Sequence, residues 1–192
     1  MDVPDSVIEA CKRGDADAFE RLVQLTQKDV YSLAYRMMGN PDDAAEASQD
    51  TYLKLLRVIR SFRGDAKFST WLYRVTSNVC LTTLRKRSRR AQEVALDSED
   101  WTEVASEAEG PQEQAERAWD KQRVERALTQ ISENYRVVVV MKDIYGFPIS
   151  HIAKELKVSE SAVKVRLFRA RRRLKDILTE PSTEKNDGTQ AS

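Results

Sequence analysis

Residues 149–178 read ISHIAKELKVSESAVKVRLFRARRRLKDIL, and this stretch decides the fold of the C-terminal part of the chain. Its apolar residues recur with the spacing of two short amphipathic helices, which is the main sequence signal for helix. They are Ile149, Ile152, Ala153 and Leu156, then Val163, Leu167, Ala170, Leu174 and Leu178. Residues 157–159 are short enough for a tight turn, and Ser159 can accept hydrogen bonds from the amides that open the second helix. The stretch therefore predicts a helix-turn-helix.

The second of these helices is strongly basic. Seven of the twelve residues from Lys164 to Lys175 are Lys or Arg, and none is acidic. Such a stripe favours a polyanion, because each neutralised phosphate releases condensed counterions. A solvated basic face is the alternative, and it would carry equal weight if the stripe stood alone. Attached to a helix-turn-helix, the stripe indicates DNA binding.

Charge is unevenly distributed along the 192 residues, whose formal net charge is only +1. Residues 119–180 carry fourteen Lys or Arg against eight Asp or Glu, whereas residues 93–120 carry ten acidic residues and one Arg. This separation leaves basic surfaces for a polyanion on a nearly neutral molecule. The longest apolar run, Val137–Met141, is far shorter than the roughly 20 residues of a membrane span, and no basic-plus-apolar signal opens the chain. We expect a cytoplasmic protein without direct membrane insertion.

Residues 1–90 predict four helices. Capping patterns place the first three starts at Ser6 with Glu9, at Asp17 with Glu20, and at Asn40 followed by Pro41. The predicted ends of those helices are Gly14, Gly39 and Gly64. Residues 65–69, DAKFS, form a brief loop, and the fourth helix runs from Thr70 to about Arg90. Five of its last six residues are basic, which suits both the negative end of a helix and phosphate contacts.

The composition changes after residue 90. Residues 91–118 are acidic and rich in Ala, Ser and Gln, which is typical of a disordered linker and marks a domain boundary. Beyond it, the run Val137–Val140 would favour a strand by β-propensity, but no partner strand is visible, so we interpret it as a buried helix. The predicted fold is all-α, with two small helical domains, residues 1–90 and 119–180, joined by a flexible acidic linker. A disordered tail, residues 181–192, follows.

This arrangement resembles the extracytoplasmic-function sigma factors, the smallest promoter-specificity subunits of bacterial RNA polymerase. Three blocks carry the resemblance: PDDAAEASQDTYLKLLRVIRSF at 41–62, RGDAKFSTWLYRVTSN at 63–78 with the basic end that follows, and ISENYRVVVVMKDIYGFPISHIAKELKVSESAVKVRLFRARRRL at 131–174. Separate blocks in the right order are a strong signal, whereas a helix-turn-helix alone is weak. The resemblance implies that residues 1–90 are sigma region 2, which binds core polymerase and melts the −10 element. Residues 119–180 would be sigma region 4, which reads the −35 element.

The resemblance also implies functional residues in region 2. It assigns Glu46, Gln49, Asp50 and Tyr52, on the third helix, to docking on the clamp helices of the largest polymerase subunit. Capture of an unpaired −10 base falls to Asp65, Ala66, Lys67, Phe68 and Asn78, with Arg85, Lys86, Arg87, Arg89 and Arg90 on the adjoining backbone. Turning a base out of its stack costs a few kcal/mol, which stacking and edge hydrogen bonds must return. The alternatives for Tyr52, Phe68 and Trp71 are positions in the hydrophobic core.

Helical geometry divides the side chains of the second helix of the helix-turn-helix. At ~100° per residue, the side opposite the apolar stripe carries Ser161, Val165, Phe168, Arg169 and Arg172. We predict that Phe168 contacts a thymine methyl and that Arg169 reaches a guanine edge, with Lys164 nearby. Arg171 and Lys142 are better placed for phosphates. Packing of Phe168 on another helix of its own domain is the alternative.

Two features depart from the family pattern. Residues 46–50 read EASQD where family members show an acidic-Leu-Val-Gln-Glu run, so Ala47 and Ser48 supply less apolar surface for polymerase docking. Pro148 replaces the usual serine cap, a change that the first turn of a helix can absorb.

Other functional classes find less support. A conventional helix-turn-helix regulator, which binds duplex DNA without polymerase, is the second hypothesis. An enzyme is not expected, because His151 is the only histidine and should be a solvated side chain, and no nucleophile or phosphate loop converges on it. No cofactor or metal site is predicted, and Cys11 and Cys80 are interpreted as buried thiols, with a redox role left open. The resemblance implies an anti-sigma partner, and the acidic linker suits either a nucleic-acid mimic or plain disorder.

Overall fold

The computed structural model describes residues 2–95 and 117–179, and within these ranges the chain is helical, without a strand. The N-terminal domain contains α1 (Asp5–Arg13), α2 (Ala16–Met38), α3 (Pro41–Val58) and α4 (Phe68–Ala95), and the C-terminal domain contains α5 (Arg117–Thr129), α6 (Glu133–Val139), α7 (Ile149–Leu156) and α8 (Glu160–Thr179). The all-α prediction is confirmed. Most of the predicted linker, residues 96–116, and the whole predicted tail, residues 181–192, lie outside the described residues. None of the helices within the described ranges combines the length and hydropathy needed to cross a membrane.

The starts of the first two helices differ from the prediction. The capping box at Ser6 and Glu9 is wrong, because α1 begins at Asp5 directly after Pro4 and without a side-chain cap. The start at Asp17 with Glu20 is also wrong. Asp15 caps α2 instead, and its carboxylate accepts a hydrogen bond from the Ala18 amide at 2.9 Å. An extended aspartate one residue before the helix can reach the third helical amide, which is the geometry of an N-cap.

Two of the three predicted glycine stops are confirmed. Gly14 and Gly39 close α1 and α2 with φ of +91° and +84°, a left-handed conformation that costs glycine little. Gly64 does not end α3, which stops at Val58 and continues as a 3₁₀ turn, Ile59–Ser61. The predicted cap at Asn40 is confirmed, since its side chain accepts from the Asp43 amide at 2.8 Å.

The helix-turn-helix is confirmed in the C-terminal domain. Lys157 closes α7 in the left-handed conformation, with φ of +55°, and the Ser159 hydroxyl accepts from the Ala162 amide at 3.1 Å. The interpretation of the valine run as buried helix is also confirmed, because α6 contains most of it and continues as a π turn, Val140–Ile144. These valines are almost fully buried, so packing outweighs their β-propensity.

The buried apolar residues form two clusters, and the two domains share one of them. In the N-terminal domain, α2 packs against α1, α3 and α4 around Leu22, Leu55 and Leu72. A second cluster joins both domains: it includes Met37 of α2 and Leu84 of α4 as well as buried residues of α6, α7 and α8. The C-terminal domain therefore rests on the face formed by α2 and α4.

Candidate nucleic-acid interfaces

The outer face of α8 is the first candidate surface. Val163, Leu167 and Ala170 are buried against the domain, whereas the Phe168 side chain is 70% exposed. The remaining predicted contacts on this helix are exposed as well: Ser161, Lys164, Val165, Arg169, Arg171 and Arg172. The alternative that Phe168 packs on another helix of its domain is therefore wrong. The exposed ring lies within a basic stripe, where it is free to contact a binding partner.

Arg171 is held by a residue that the sequence reasoning missed. Its Nε and Nη2 donate to the two carboxylate oxygens of Asp143 at 2.9 and 2.6 Å, a bidentate pair. The hydrogen bond and the charge of Asp143 raise the pKa of Arg171. This pair connects α8 to the π turn, beside the half-buried Lys142.

Three arginines of α8 line an open concavity of about 400 Å³ at the start of α6. Its lining residues are Gln130, Ile131, Ser132, Tyr135, Arg169, Arg172, Arg173 and Asp176. Arg173 and the polar residues before α6 were not among the predicted contacts. Arg173 already belongs to the basic stripe of α8, whereas only proximity in the fold brings Gln130, Ser132 and Tyr135 to that surface.

A groove between α3 and α4 is the second candidate surface. It has a volume of about 690 Å³ and is lined by Asp50, Leu53, Lys54, Arg57, Val58, Ser61, Trp71, Val75, Asn78, Val79, Thr82, Thr83 and Lys86. The groove combines an indole ring, three cations and an amide, which together can hold a base and its phosphates. The Asn78 Oδ1 atom is buried there and has no hydrogen-bond partner among the described residues. A buried polar atom without a partner costs about 1–3 kcal/mol, so a bound donor that reached Asn78 Oδ1 would recover that cost.

The loop before α4 requires one correction. Phe68 was predicted to lie in the loop and to face a base, but it is the first residue of α4 and is buried. Its ring packs against Phe62 and Trp71, with centroids 5.3 and 5.7 Å away, because an apolar ring is more stable in the core than in water. Asp65, Ala66 and Lys67 remain exposed in the shortened loop and do not line the groove.

The basic end of α4 points in several directions. Arg85 donates to the backbone carbonyl of Glu155 in α7, and Arg87 forms an ion pair of 2.7 Å with Asp43. Lys86 alone of these three predicted phosphate contacts lines the groove. Arg89 and Arg90 are exposed.

The outer face of α3 carries the predicted docking residues, with one exception. Glu46, Gln49 and Asp50 are exposed, but Tyr52 is half-buried and its hydroxyl lies 2.9 Å from Thr26 Oγ1. Burial raises the pKa of Tyr52. Tyr52 therefore packs in the domain, and its assignment to the docking surface is corrected. Leu53 and Leu56, 50% and 54% exposed, continue the outer face instead.

His151 is not the solvated side chain that the sequence predicted. It is half-buried, its ring centroid lies 5.2 Å from that of Phe147, and its Nε2 atom is buried without a partner among the described residues. Burial lowers the pKa of His151, and Arg74 and Lys154 lower it further while Glu155 opposes them. Both cysteines are buried free thiols, and burial raises the pKa of Cys80 to about 12. No group of possible metal ligands occurs in the described parts of the chain.

Comparison with known proteins gives consistent results for both domains. The family model Sigma-70 region 2 matches residues 22–90, and the model Sigma-70, region 4 matches residues 121–174. The chain is similar to the ECF RNA polymerase sigma factor SigM of Mycobacterium tuberculosis, with 36% identity over 165 residues that cover 86% of this chain and 79% of that protein. It is also similar to the ECF RNA polymerase sigma factor SigW of Bacillus subtilis, with 28% identity over 89% of this chain and 94% of that protein.

Among solved structures, the fold is similar to that of the sigma factor RpoE in its complex with the anti-sigma factor NepR from Bartonella quintana. The TM-score is 0.61 at 24% identity, and the match covers 83% of this chain and 96% of that one. This likeness supports the fold.

Proposed function

Because this chain belongs to the extracytoplasmic-function (ECF) sigma factors, we propose that it binds the core of bacterial RNA polymerase and directs initiation at promoters that it recognises itself. Sigma factors are DNA-binding initiation factors without enzymatic activity, so the chemistry belongs to the polymerase. The observation that carries the proposal is the presence in one chain of an exposed basic recognition helix and a separate groove with an unpaired acceptor.

In this proposal α8 reads duplex DNA at the −35 element. Phe168 and Arg169 contact base edges, because side chains at the centre of an exposed recognition helix can enter the major groove. Lys142, Lys164, Arg171 and Arg172 bind phosphates, and Arg173 joins them through the concavity that it shares with Arg172. Phosphate contacts fix the position of the helix, and base contacts supply the specificity.

The groove between α3 and α4 captures an unpaired base of the −10 element. Asn78 donates and accepts hydrogen bonds at the base edge, and Trp71 offers an aromatic face. Stacking of this kind is worth about 1–3 kcal/mol per base, comparable to the cost of unstacking. Lys86 neutralises the neighbouring phosphate, while Asp65, Ala66 and Lys67 contact the strand from the loop at the start of α4.

The outer face of α3 docks on the clamp helices of the largest polymerase subunit. Glu46, Gln49 and Asp50 supply polar contacts, and Leu53 and Leu56 supply apolar area. Ala47 was expected to contribute a small apolar surface here, but it is fully buried in the core and cannot. Leu56→Asp should weaken co-purification with core polymerase by about 1–3 kcal/mol in binding free energy. Leu25→Asp is the matched control, since Leu25 is an exposed leucine of α2 rather than of α3. Equal retention of core by both variants would place the docking surface elsewhere.

The remaining assignments follow from family membership. We propose that the protein acts in the cytoplasm and is restrained by an anti-sigma protein. The similar sigma factor RpoE from Bartonella quintana is in complex with the anti-sigma factor NepR. The chain is divided into region 2 at residues 1–90, an acidic linker at 91–118, region 4 at 119–180 and a tail at 181–192. In the polymerase the linker runs near the active site and the RNA exit path.

Run-off transcription with purified core polymerase tests the proposed function. The protein should convert core into an enzyme that starts at defined promoters in genomic DNA, and it should co-purify with core. A conventional regulator is the second candidate, favoured by the exposed basic α8. Tight and specific binding to duplex DNA, without core binding or run-off product, would support that candidate and contradict the sigma-factor proposal.

A further inference from the structure

The π turn after α6 carries two adjacent residues of opposite charge. It spans Val140–Ile144, and the Tyr145 amide closes it by donating to the Val140 carbonyl, five residues earlier, at 3.1 Å. Turns of this kind are rare and occur mostly at functional sites. Lys142 is one of the proposed phosphate contacts, whereas Asp143 is a carboxylate that faces the basic helix α8. An acidic residue at this place calls for an explanation, because a carboxylate repels DNA.

Asp143 binds one edge of the Arg171 side chain. The Nε and Nη2 atoms of Arg171 donate to the two carboxylate oxygens at 2.9 and 2.6 Å. A guanidinium has five N–H groups in a fixed plane, and this pairing occupies two of them. No described residue accepts a hydrogen bond from Nη1, so the opposite edge keeps its donors for an external acceptor. Bidentate pairing fixes the plane and direction of the guanidinium as well as its position.

Stability alone does not explain this pair. The side chains of Arg171 and Asp143 are 57% and 33% exposed. An ion pair in such a position contributes little to folding, because water screens the charges and two side chains lose conformational freedom. The helix is held in the domain by its buried residues Val163, Leu167 and Ala170. The main effect of the pair is therefore to orient Arg171.

The orientation of Arg171 matters because the proposed base contacts lie one helical turn away. Phe168 and Arg169 are exposed on the same helix. Phosphate contacts carry no sequence information, but they fix the position from which neighbouring side chains meet the base edges. An arginine held in one geometry suits a phosphate in one place, whereas a free cation binds any phosphate within reach. The charge of Asp143 also offsets that of Arg171 and lowers the attraction to DNA of any sequence.

We propose that Asp143 is a specificity-determining residue, which positions Arg171 for a single phosphate and weakens binding to duplex DNA of unrelated sequence. Asp143 acts through Arg171 and is a positioning residue rather than a base contact. The inference rests on one part of the proposed function, the reading of duplex DNA by α8. Specificity is a difference between two affinities, and Asp143 acts on both of them. It supports binding to the preferred sequence and opposes binding to all others.

A comparison of two DNA duplexes with the full-length protein tests the inference. The first duplex is selected by the wild-type protein from a randomised pool, and the second is a scrambled duplex of the same length and base composition. The specificity ratio is the Kd for the scrambled duplex divided by the Kd for the selected one. Asp143→Asn should lower this ratio about five- to tenfold. On the scrambled duplex, the plot of log affinity against log salt concentration should steepen by about 0.9, because one cation is freed for a phosphate.

Two further proteins separate geometry from charge. Glu160→Gln is the matched control, because Glu160 is an exposed carboxylate in the first turn of α8 that takes part in no ion pair with another described residue. It makes the same change of charge and should strengthen binding to both duplexes alike, with an unchanged ratio. Arg171→Lys keeps the charge but replaces the planar fork by a point charge. It should lower the ratio without steepening the salt dependence, and adding Asp143→Asn to it should lower the ratio no further.

An unchanged ratio in Asp143→Asn, or an equal fall in Glu160→Gln, would overturn the inference. A loss of folding stability without a change in ratio would make the pair structural and would overturn it as well. Should Asp143→Asn fail to fold, Arg171→Lys decides by the same ratio. Failure of the wild type to select any duplex would remove the reading by α8 and the inference with it. A falling ratio in a protein that neither binds core polymerase nor supports run-off would contradict the proposed function and leave the role of Asp143 intact.

Discussion

The outer face of α8 and the groove between α3 and α4 are built in opposite ways. On α8 the side chains proposed to contact DNA protrude into solvent. One of them, Arg171, donates a hydrogen bond to Asp143. In the groove the key acceptor, Asn78 Oδ1, is buried and unpaired. A protruding helix suits the wide groove of a duplex, whereas a concave site with an unpaired acceptor suits a base that has left its stack. The difference supports the proposal that α8 reads paired DNA and that the groove holds an unpaired base.

The largest expected effect concerns Asn78 in the groove between α3 and α4. Asn78→Ala should weaken binding of a single-stranded −10 oligonucleotide by about 3 kcal/mol, the upper end of the range for a base-edge contact, because the variant lacks both donor and acceptor. Fluorescence anisotropy with the labelled oligonucleotide measures the loss. Binding to −35 duplex should be unchanged.

Stability separates this role from a structural one. The free energy of unfolding of Asn78→Ala should be equal to or higher than that of the wild type, since a buried acceptor without a partner is removed and alanine favours helix. Thr83→Ala, at the same groove, is the matched control and should leave oligonucleotide binding intact. A destabilised Asn78→Ala protein with normal oligonucleotide affinity would make Asn78 a structural residue.

The second largest effect concerns the contribution of Arg169 on α8 to duplex binding. Arg169→Ala should cost about 2 kcal/mol with the preferred −35 duplex and relax specificity at one position, because a guanine contact is lost. Arg173→Ala is the matched arginine variant and should weaken binding on all sequences alike, with a lower salt dependence, because it contacts phosphate. Uniform weakening by both variants would make Arg169 a phosphate contact as well.

Local signals account for what the sequence could predict. The helix-turn-helix, the Ser159 cap and the exposed face of α8 all follow from spacing within one short stretch, and each is confirmed. Features that depend on packing between distant segments could not be predicted. Phe68 and Tyr52 looked available in sequence, but Phe68 is buried against Phe62, and the half-buried Tyr52 packs beside Thr26. The sequence did contain a signal for Leu53 and Leu56, because both leucines lie on a different side of α3 from the buried Leu55.

The junction between the domains was also beyond the reach of the sequence. The buried Arg136 of α6 donates to the backbone carbonyls of Met37 and Met38 at 3.1 and 3.0 Å. Nothing near Arg136 in the chain indicates these partners, which lie almost one hundred residues earlier. The docking partner of a cation is a property of the fold, because the free carbonyls at the end of α2 become a site only where a second helix approaches them. The proposed site residues on both surfaces stay predictions until the variants are measured.

A smaller effect concerns the exposed ring on α8. Phe168→Ala should lower affinity for the −35 duplex by about 1 kcal/mol, through loss of contact with a thymine methyl. Its free energy of unfolding should stay within about 0.5 kcal/mol of the wild type, because the ring is 70% exposed and packs on nothing that holds the domain. Replacement of thymine by uracil in the duplex removes the methyl group, and Phe168→Ala should then make no further difference at that position. An additional loss on uracil duplex would contradict the methyl contact.

The smallest expected effect concerns His151 of α7, which belongs to neither surface. Burial, assisted by Arg74 and Lys154, lowers the pKa of His151 below the ordinary value of 6.5, so the unfolded chain binds the proton more readily than the folded chain. Stability is therefore full above about pH 6.5 and declines as the pH falls through that value toward the lower folded pKa. The His151→Gln variant lacks this titratable group but keeps every other ionisable group of the wild type. Chemical unfolding between about pH 8 and pH 5.5 should show the free energy of unfolding of the wild type falling more than that of His151→Gln. Parallel curves for the two proteins would show that His151 titrates alike in the folded and unfolded chain.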